Sequence, residues 1–405
     1  MSQSQLDKLY SSGLLGINIK KVFRDGRTFN DGQHDWVDFC STNYLGFDQD
    51  ELLHTMGCDF SRQWGPIAGW SRLEADFDIY KDLEERICSF IGCPEVYLCH
   101  SITATNFSII PNIAKNGIMF TDHKVHTVVW EAARLARDHG ASIARFQHQD
   151  LNHLEDLLKK HRKTSPKLIL VDGVYSISSE HAPIREMQDL CEKYQAWLYI
   201  DDAHGFGLLG RNPTPENPYG FGGRGIVDYY SGNYNRTFYV SSFGKAFCTA
   251  TAFAVIPKEY PENVPVHALT NIFSAPLSPY TVGTVIASLK LNATVGDARR
   301  QTILDNSRFF INTCNRLGLP CENHLNQPIM FLKIGSIEDL TNTATSLKKA
   351  GILAGLRPYP VVPPNECGLR FAISALHTKE QITRSLSILA EALSEQGILP
   401  MSIAA

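Results

Sequence analysis

The sequence lacks long apolar runs and a large excess of either charge. No stretch of its 405 residues approaches the roughly 18 uninterrupted apolar residues of a membrane-spanning helix, so we expect no integral membrane segment. The formal net charge of -4 argues against a strongly basic face, and we therefore expect no nucleic-acid partner. Residues 1–9 show no basic region followed by an apolar run, which predicts a cytoplasmic protein.

Cysteines with metal-ligand spacing are missing as well. The ten cysteines are spread from Cys40 to Cys367, without a C-x-x-C pair and without a His/Cys cluster at zinc spacing. Such scatter is typical of reduced, mostly buried thiols. We therefore expect no structural metal.

The composition that remains is that of a folded protein of more than one domain. Hydrophobic residues make up 43% and charged residues 20% of the chain. Its length exceeds the size at which one hydrophobic core stops growing. We predict an N-terminal arm over residues 1–50, a large domain over 51–280 and a small C-terminal domain over 281–405.

Short apolar runs that end in polar or Gly-rich turns recur through the middle of the chain. We predict buried strands at Val96–Cys99, Ile118–Phe120, Leu168–Val171, Trp197–Ile200 and Phe238–Val240. Segments with helical periodicity, such as 128–136 and 187–194, lie between these runs. Alternating strands and helices predict an α/β fold with a largely parallel sheet covered on both faces.

After about Phe273 the pattern changes to that of a smaller α+β domain. A long helical stretch near 282–317 precedes a strand near 329–332. Helices are predicted to begin at Ser336 and at Lys379.

Polar residues follow the predicted strands at their carboxyl ends, where ligands gather in sheets of this type. The run 197–200 leads into Asp201 and His204, and the run 238–240 leads into Lys245. A carboxylate can keep a pyridine nitrogen protonated, and a partly desolvated lysine has an amine available for imine formation. This combination predicts pyridoxal 5′-phosphate (PLP) as the cofactor, held as a Schiff base on Lys245.

Two more segments fit the same cofactor. A third predicted strand end lies at 171–176, and a helix start at 101–106 would offer free backbone N–H groups to a phosphate. Each signal alone has an ordinary explanation, because a loop lysine is commonly a solvated surface residue and 201–204 could cap a helix. The combination is what favours a cofactor site.

With these residues in place, the chain resembles the α-oxoamine synthases, which are fold-type I PLP enzymes. The ordered motifs that carry the resemblance are Asn43–Gly46, Leu83–Glu85, Arg145–Asp150, Asp172–Ser176 with Ala182–Pro183, Asp201–Gly205, Phe243–Ala246, Phe273–Ser274 and Gly368–Phe371. The resemblance implies an α/β fold of the aspartate aminotransferase type. A mainly parallel seven-stranded sheet would form the large PLP-binding domain, next to a smaller α+β C-terminal domain.

The resemblance implies four catalytic residues around the cofactor ring. Lys245 would form the Schiff base, Asp201 would pair with the pyridine nitrogen, and His204 would contact the phenolic oxygen. His126 would stack on the ring face. The alternative for His126 is a histidine at a helix start that binds no ligand.

Further residues are implied at the phosphate. Ser242 and the amides of Ile102 and Thr103 would hold it, while Ser176 matches a polar residue near the cofactor. Ser274 matches a position that reaches the phosphate from the partner subunit. The expected assembly is therefore a homodimer with shared active sites.

The resemblance also implies residues that bind the substrate. Arg370 would bind the carboxylate of an amino acid, for which its forked guanidinium is suited, and Asn43 is expected to contact the substrate. The alternative for Arg370 is an exposed salt bridge.

The implied reaction is a decarboxylative condensation of a small α-amino acid with an acyl thioester. Its products would be an α-amino ketone, CO2 and a free thiol, with the acyl group supplied on CoA or on a carrier protein. The alternatives are an aminotransferase or lyase on the same fold and a non-catalytic subunit of a heteromeric synthase. Ile67 and Trp70 stand where the family commonly has small residues, which favours a specialised member.

Overall fold

The computed structural model describes residues 3–22, 26–230 and 232–399, with residues 3–6 described by their backbone alone. The predicted outer domains also include residues 1–2 and 400–405, which lie outside the described residues.

The helices and strands follow the chain in three stretches. The first stretch contains α1 (Gln3–Ser11), β1 (Lys21–Val22), β2 (Thr28–Asn30), β3 (Asp35–Asp38) and a 3-10 turn (Phe47–Gln49). The second contains α2 (Glu51–Trp64), α3 (Asp78–Ile91), β4 (Val96–Cys99), α4 (Ile102–Ala114), β5 (Ile118–Asp122), α5 (Thr127–Asp138), β6 (Ser142–Phe146), α6 (Leu151–Lys160), β7 (Lys167–Asp172), α7 (Ile184–Tyr194), β8 (Trp197–Asp201), α8 (Ile226–Tyr230), β9 (Thr237–Ser242), β10 (Ala252–Val255), α9 (Val264–His267), α10 (Leu269–Ile272) and α11 (Pro279–Leu291). The third contains a π-helical turn (Asn292–Gly296), α12 (Asp297–Leu317), β11 (Cys321–Glu322), β12 (Ile329–Gly335), α13 (Ile337–Lys349), β13 (Ile352–Leu353), β14 (Gly355–Arg357), β15 (Cys367–Ala372) and α14 (Lys379–Glu395).

These elements form two compact units. The larger unit consists of Asp50–Ser176 and His181–Asp297. The smaller unit combines the described parts of Met1–Gln49 and Ala298–Ala405 with the short segment Ile177–Glu180. The predicted division into an arm, a large domain and a small domain stays a prediction.

The larger unit is built on a seven-stranded sheet of order β4-β10-β9-β8-β7-β5-β6. Strands β9, β8, β7, β5 and β6 run parallel to one another, and β10 is antiparallel to both of its neighbours, β4 and β9. A mainly parallel sheet of seven strands confirms the predicted fold class.

The central strands are continuous apolar runs because helices cover them. Every residue of β7 and of β9 is buried. Strand residues Leu168 and Val240 pack in one cluster with Ile109 of α4 and Val129 of α5. Each fully buried side chain of this size contributes about 1.5–3 kcal/mol to folding.

The smaller unit holds two four-stranded sheets, of order β1-β2-β3-β13 and β11-β12-β15-β14. Strand β13 pairs in parallel with β3, with Ile352 opposite Val37. The core residues Phe39, Phe310 and Phe371 are fully buried. The first stretch of the chain therefore packs with the third.

The late helices begin where the sequence predicts. Ser336 caps α13 in a capping box with Asp339, and Thr378 caps α14 in the same way with Gln381. No helix among the described residues is both long and apolar enough to cross a membrane. The cytoplasmic location stays a prediction.

Candidate active site

Four neighbouring parallel strands of the larger unit each end in a polar residue. Strands β5, β7, β8 and β9 end in Asp122, Asp172, Asp201 and Ser242. Asp172 lies directly opposite Asp201 in the pairing of β7 with β8. Three carboxylates and a hydroxyl therefore follow one another along one edge of the sheet.

Asp201 is buried and each of its carboxylate oxygens accepts a hydrogen bond. Asn106 Nδ2 donates to Oδ2 at 2.8 Å, and the amide of Ala203 donates to Oδ1 at 3.2 Å. The Tyr199 hydroxyl in turn donates to Asn106 Oδ1 at 2.5 Å. The carboxylate predicted to face the cofactor nitrogen is thus held from the helix α4.

Asp172 anchors the loop that carries His126. Both oxygens of its carboxylate accept the His126 amide, each at 3.1 Å. Burial and the charge of Asp201 raise the pKa of Asp172 well above its ordinary value, while the His126 amide and the charge of Lys245 act in the opposite direction. Lys245, Asp201 and His126 therefore surround one buried carboxyl group.

His126 is exposed and caps α5. Its Nδ1 accepts the Val128 amide at 3.3 Å, which fixes the ring at the start of the helix. Its loop is held from a second side by Asp122, which accepts bonds from the Lys124 amide at 2.8 Å and from His148 Nδ1 at 2.9 Å. An exposed ring on a loop with two carboxylate anchors is available to a ligand.

Lys245 lies in a turn just after β9. The turn is closed by bonds from the Cys248 amide to the Lys245 carbonyl and from the Thr249 amide to the Phe243 carbonyl, at 3.1 and 3.0 Å. Lys245 is half-buried, which meets the condition of partial desolvation on which its predicted role depends.

Strand β10 brings the start of α4 next to Ser242. Ala252 of β10 lies opposite Ser242 on one side and opposite Cys99 on the other. The Ser242 hydroxyl donates to the Thr251 carbonyl at 3.0 Å and accepts the Gly244 amide at 2.9 Å. The Ser242 hydroxyl therefore has two partners within the chain. A contact with a ligand is supported by its position beside the start of α4.

The start of α4 has the geometry of an anion site. Ser101 caps the helix, with its hydroxyl accepting the Ala104 amide at 3.2 Å and its carbonyl accepting the Thr105 amide at 2.9 Å. The amides of Ile102 and Thr103 belong to the first turn, where no earlier helical carbonyl can accept them. Helix starts of this kind bind phosphate groups.

His204 is buried in the turn after β8, which Asp202 holds in place. Asp202 Oδ1 accepts the Gly205 amide at 3.1 Å, while Oδ2 accepts the Tyr239 hydroxyl and the Ile226 amide, both at 2.8 Å. Burial raises the pKa of Asp202 to about 7. Asp202 is thus a structural anchor for the turn that carries His204.

The two remaining predicted cofactor residues are half-buried. Ser176 follows β7 by four positions. The Ser274 hydroxyl donates to the Ala275 carbonyl at 3.0 Å. Ser274 lines a small cavity together with His100, which directly precedes the helix cap Ser101.

The predicted substrate residues belong to the smaller unit. Arg370 on β15 lies opposite Gly355, and Arg357 on β14 lies opposite Gly368, so the two arginines are diagonal neighbours on one face of the sheet. Burial and the charge of Arg370 lower the pKa of Arg357 to about 10. The carbonyl of Asn43 accepts the Ser374 hydroxyl at 3.0 Å. The positive charge of Arg370 also reaches Tyr44, the residue after Asn43.

Sequence reasoning missed three residues of these clusters. Asp172 ends an apolar run just as Asp201 does, so the strand-end rule could have assigned it a role. Asn106 and Arg357 follow no such rule, since each depends on a contact between elements distant in sequence. The sequence offers no local signal for either.

Curated relatives match most of the chain. Residues 35–389 match the family model described as Aminotransferase class I and II. The 8-amino-7-oxononanoate synthase of Trichlorobacter lovleyi is 30% identical over 405 residues, which cover 98% of each protein. That of Chromobacterium violaceum is 31% identical over 377 residues, which cover 91% of this chain and 90% of the relative.

Solved structures have a similar fold. Serine palmitoyltransferase from S. paucimobilis, with a bound PLP–myriocin aldimine, matches with a TM-score of 0.87 at 23% identity, over 98% of this chain and 97% of that one. An 8-amino-7-oxononanoate synthase from Francisella tularensis matches with a TM-score of 0.74 at 22% identity, over 91% of this chain and all of that one (100%).

Proposed function

Because the chain belongs to the aminotransferase class I and II family, we propose that it condenses a small α-amino acid with an acyl thioester by means of PLP. Its similarity to the curated synthases confirms the predicted resemblance to α-oxoamine synthases, PLP as the cofactor and decarboxylative condensation as the reaction class.

One observation carries the assignment of the site. Asp201, the turn that carries Lys245 and the start of α4 lie at one edge of the seven-stranded sheet, where the charge of Lys245 reaches Asp172. PLP has a ring nitrogen that can be protonated, an aldehyde and a phosphate, so these groups fit it one to one. When bound, PLP supplies an electron sink for the negative charge that develops on the substrate.

The residues of the chain then have distinct tasks. Lys245 would hold the cofactor and take the proton from the α-carbon of the amino acid. His126 would screen the face of the ring and donate a proton to the thioester carbonyl oxygen. Arg370, with Arg357 beside it, would bind the substrate carboxylate and fix which bond is broken. Asn43, whose carbonyl accepts the Ser374 hydroxyl, would also contact the substrate.

The reaction can be tested with purified holoenzyme. We would incubate it with glycine, alanine or serine and a series of acyl-CoAs, following free thiol and identifying products by mass spectrometry. The expected result is thiol release only when both substrates are present, with an α-amino ketone as the product. A keto acid formed without thiol release would instead show an aminotransferase.

The lysine is tested by Lys245→Ala. We expect the variant to lose the visible absorbance of the cofactor imine and to lose turnover by at least about a thousandfold, as expected when a covalent catalytic group is removed. Full turnover by Lys245→Ala would contradict the proposed role of Lys245.

A homodimer with shared active sites is proposed on the basis of one apolar surface. Two segments, 264–273 and 65–73, expose large apolar side chains. The exposed fraction is 81% for Phe273, 58% for Leu269 and 57% for Ile67. The Ser71 hydroxyl donates to the Asn271 carbonyl at 2.9 Å, so the two segments are adjacent. A joined apolar surface of this kind is typical of a protein interface, and Ser274 lies at its edge.

A further inference from the structure

Three buried polar side chains form a hydrogen-bonded series that ends at Asp201. The Tyr199 hydroxyl donates to Asn106 Oδ1 at 2.5 Å, and Asn106 Nδ2 donates to Asp201 Oδ2 at 2.8 Å. Tyr199 and Asn106 have no exposed surface, and Asp201 is 6% exposed. Bulk water therefore does not reach the bond between Tyr199 and Asn106.

The series has a fixed direction. An asparagine amide can accept only through its oxygen and donate only through its nitrogen. Rotating the Asn106 amide by half a turn would place its oxygen against the Asp201 carboxylate and its NH2 group against the hydroxyl of Tyr199. The Asp201 carboxylate, which accepts, excludes the rotated amide, and the Tyr199 hydroxyl holds the amide oxygen in the orientation that remains.

The location of Asn106 connects the two ends of the proposed cofactor site. Asn106 belongs to α4, whose first amides, at Ile102 and Thr103, are proposed to bind the phosphate. Tyr199 and Asp201 are two positions apart on β8, so their side chains leave the same face of the sheet. A single side chain therefore links the phosphate helix to the strand that carries the acid.

We propose that Asn106 is a positioning residue that sets the plane of the Asp201 carboxylate toward the cofactor nitrogen, and that Tyr199 fixes the orientation of Asn106. This inference rests on the proposed function, in which Asp201 pairs with that nitrogen. A hydrogen bond to a charged group is directional and stronger than one between neutral groups, and its loss leaves the Ala203 amide, at 3.2 Å from Oδ1, to hold the carboxylate.

The test separates hydrogen bonding from packing. Asn106→Leu keeps nearly the same volume and removes the donor, and Tyr199→Phe removes only a hydroxyl. Apo-enzyme of each variant is titrated with PLP to obtain the dissociation constant, and the visible absorbance of the reconstituted enzyme is followed against pH. Thermal unfolding of each variant is recorded in parallel.

We expect Asn106→Leu to bind PLP about tenfold to a hundredfold more weakly, the range for one lost hydrogen bond to a charged group. Tyr199→Phe should change binding in the same direction by about threefold, because Asn106 remains but can rotate. The absorbance titration should shift in both variants. The matched control is Gln188→Leu, which removes a buried amide that binds Thr237 and Asn233, at the opposite end of β9.

Wild-type PLP affinity and an unshifted absorbance titration in Asn106→Leu would overturn the inference, as would equal losses in Gln188→Leu and Asn106→Leu. If Asn106→Leu does not fold, Tyr199→Phe decides in the same way. Asp201→Asn is measured alongside: unchanged PLP binding there would contradict the proposed function itself, whereas a loss there with unaffected Asn106 and Tyr199 variants would contradict this inference alone.

Discussion

Asp201 and Asp202 are adjacent in sequence and have different surroundings. Asp202 is enclosed by donors from Gly205, Ile226 and Tyr239, which hold the turn around it. Asp201 accepts one bond on each oxygen, from Asn106 and Ala203. Asp202 is the first residue beyond β8 and its oxygens are taken up by the turn, so Asp201 is the acid that can serve the ligand.

Asp172 offers a test of how His126 is held. We expect Asp172→Ala to lower the unfolding temperature and the turnover more than Asp172→Asn. The asparagine oxygen can still accept the His126 amide, whereas alanine leaves a part-buried N–H without its acceptor, at a cost of about 1 kcal/mol. Thermal unfolding and steady-state kinetics measure both effects. Equal losses in the two variants would show that the charge of Asp172, and not the bond, is what matters.

His377 predicts a loss of stability in acid. It is fully buried as a neutral ring: Nδ1 accepts the Ser374 amide at 2.9 Å, Nε2 donates to the Asp38 carbonyl at 2.9 Å, and Phe39 stacks on it. Burial lowers the pKa of His377 to about 4 from 6.5. The unfolded state therefore binds the proton more readily than the folded state. The contribution of neutral His377 to the free energy of unfolding is fully present above pH 6.5 and is lost as the pH falls toward 4.

The size of this loss follows from the pKa shift. A shift from 6.5 to about 4 corresponds to about 3 kcal/mol. We expect the unfolding temperature of the wild type to fall steeply between pH 6.5 and 4, and that of His377→Gln, which does not titrate, to fall less. Parallel pH profiles for the two proteins would exclude His377 as the source.

Local rules predict those site residues that follow an apolar run. Asp201 and Lys245 come from strand ends, and the amides of Ile102 and Thr103 come from a helix start, so their sequence neighbourhood is sufficient to suggest them. The partners Asn106 and Arg357 come from contacts across the fold. Nothing in their own neighbourhood distinguishes them from an ordinary helix asparagine or a surface arginine.

Helices α2 and α11 approach each other through two glycines. A Cβ atom added to Gly283 would meet the backbone of Met56 and Gly57, whereas one added to Gly57 would meet the side chains of Tyr280 and Thr284. Side chains can move aside and a helix backbone cannot.

The two glycines therefore give a matched pair of variants. We expect Gly283→Ala to destabilise the protein by about 2–3 kcal/mol, the upper part of the range for overpacking. Gly57→Ala should cost less, since Tyr280 can rotate and alanine favours a helix over glycine by about 1 kcal/mol. Denaturant unfolding of both variants gives the comparison. A larger loss in Gly57→Ala would mean that the helices can separate more easily than the side chains can move.

The sequence predicts five of the seven strands of the large sheet, β4, β5, β7, β8 and β9, and misses β6 and β10. The fully buried β7 and β9 differ from their predicted bounds by one to two residues at each end. Strand β6 lies at the sheet edge with an exposed first residue, and its apolar pattern is interrupted accordingly. Strand β10 is apolar and fully buried, but two of its four residues are alanine, a residue type that is depleted in strands.

The two compact units could not be read from the order of the sequence. The smaller unit joins the described residues of Met1–Gln49 to those of Ala298–Ala405, and strand β13 is paired with β3 across that interval. Such pairing depends on contacts between segments that are distant in sequence, and hydrophobic periodicity reports only on local structure. What periodicity does predict is the change from alternating strands and helices to a smaller α+β pattern in the C-terminal region.

The apolar surface around Phe273 predicts the oligomeric state. We expect the wild type to have the mass of a dimer in light scattering coupled to size exclusion, and Phe273→Asp to shift the mass toward a monomer. A charge placed in a buried apolar interface lacks a partner and is costly to desolvate. The control is Phe221→Asp, which changes another exposed phenylalanine, 47% exposed against 81% for Phe273, on a different loop. A dimer that persists in Phe273→Asp would place the interface elsewhere.

Shared active sites can be tested by mixing two inactive variants. Lys245→Ala removes the amine from one subunit, and Ser274→Asp places a negative charge where the partner's phosphate is proposed to bind. Each site is proposed to take its lysine from one subunit and its Ser274 from the other. In a mixed dimer, one site therefore carries both substitutions and the other site carries neither. After subunit exchange at equal concentrations we expect about one quarter of the wild-type activity, since about half of the dimers are mixed and half of their sites are intact.

The control for this exchange is a mixture of Lys245→Ala with Asp201→Asn. Asp201 ends β8, and Lys245 lies in the turn after the neighbouring strand β9 of the same chain. Each site therefore takes both residues from one subunit, and every site in a mixed dimer keeps one substitution. No activity should return in that mixture. Recovery in the control as well as in the Ser274→Asp mixture would point to carry-over of active enzyme, and recovery in neither would mean that each subunit supplies its own Ser274.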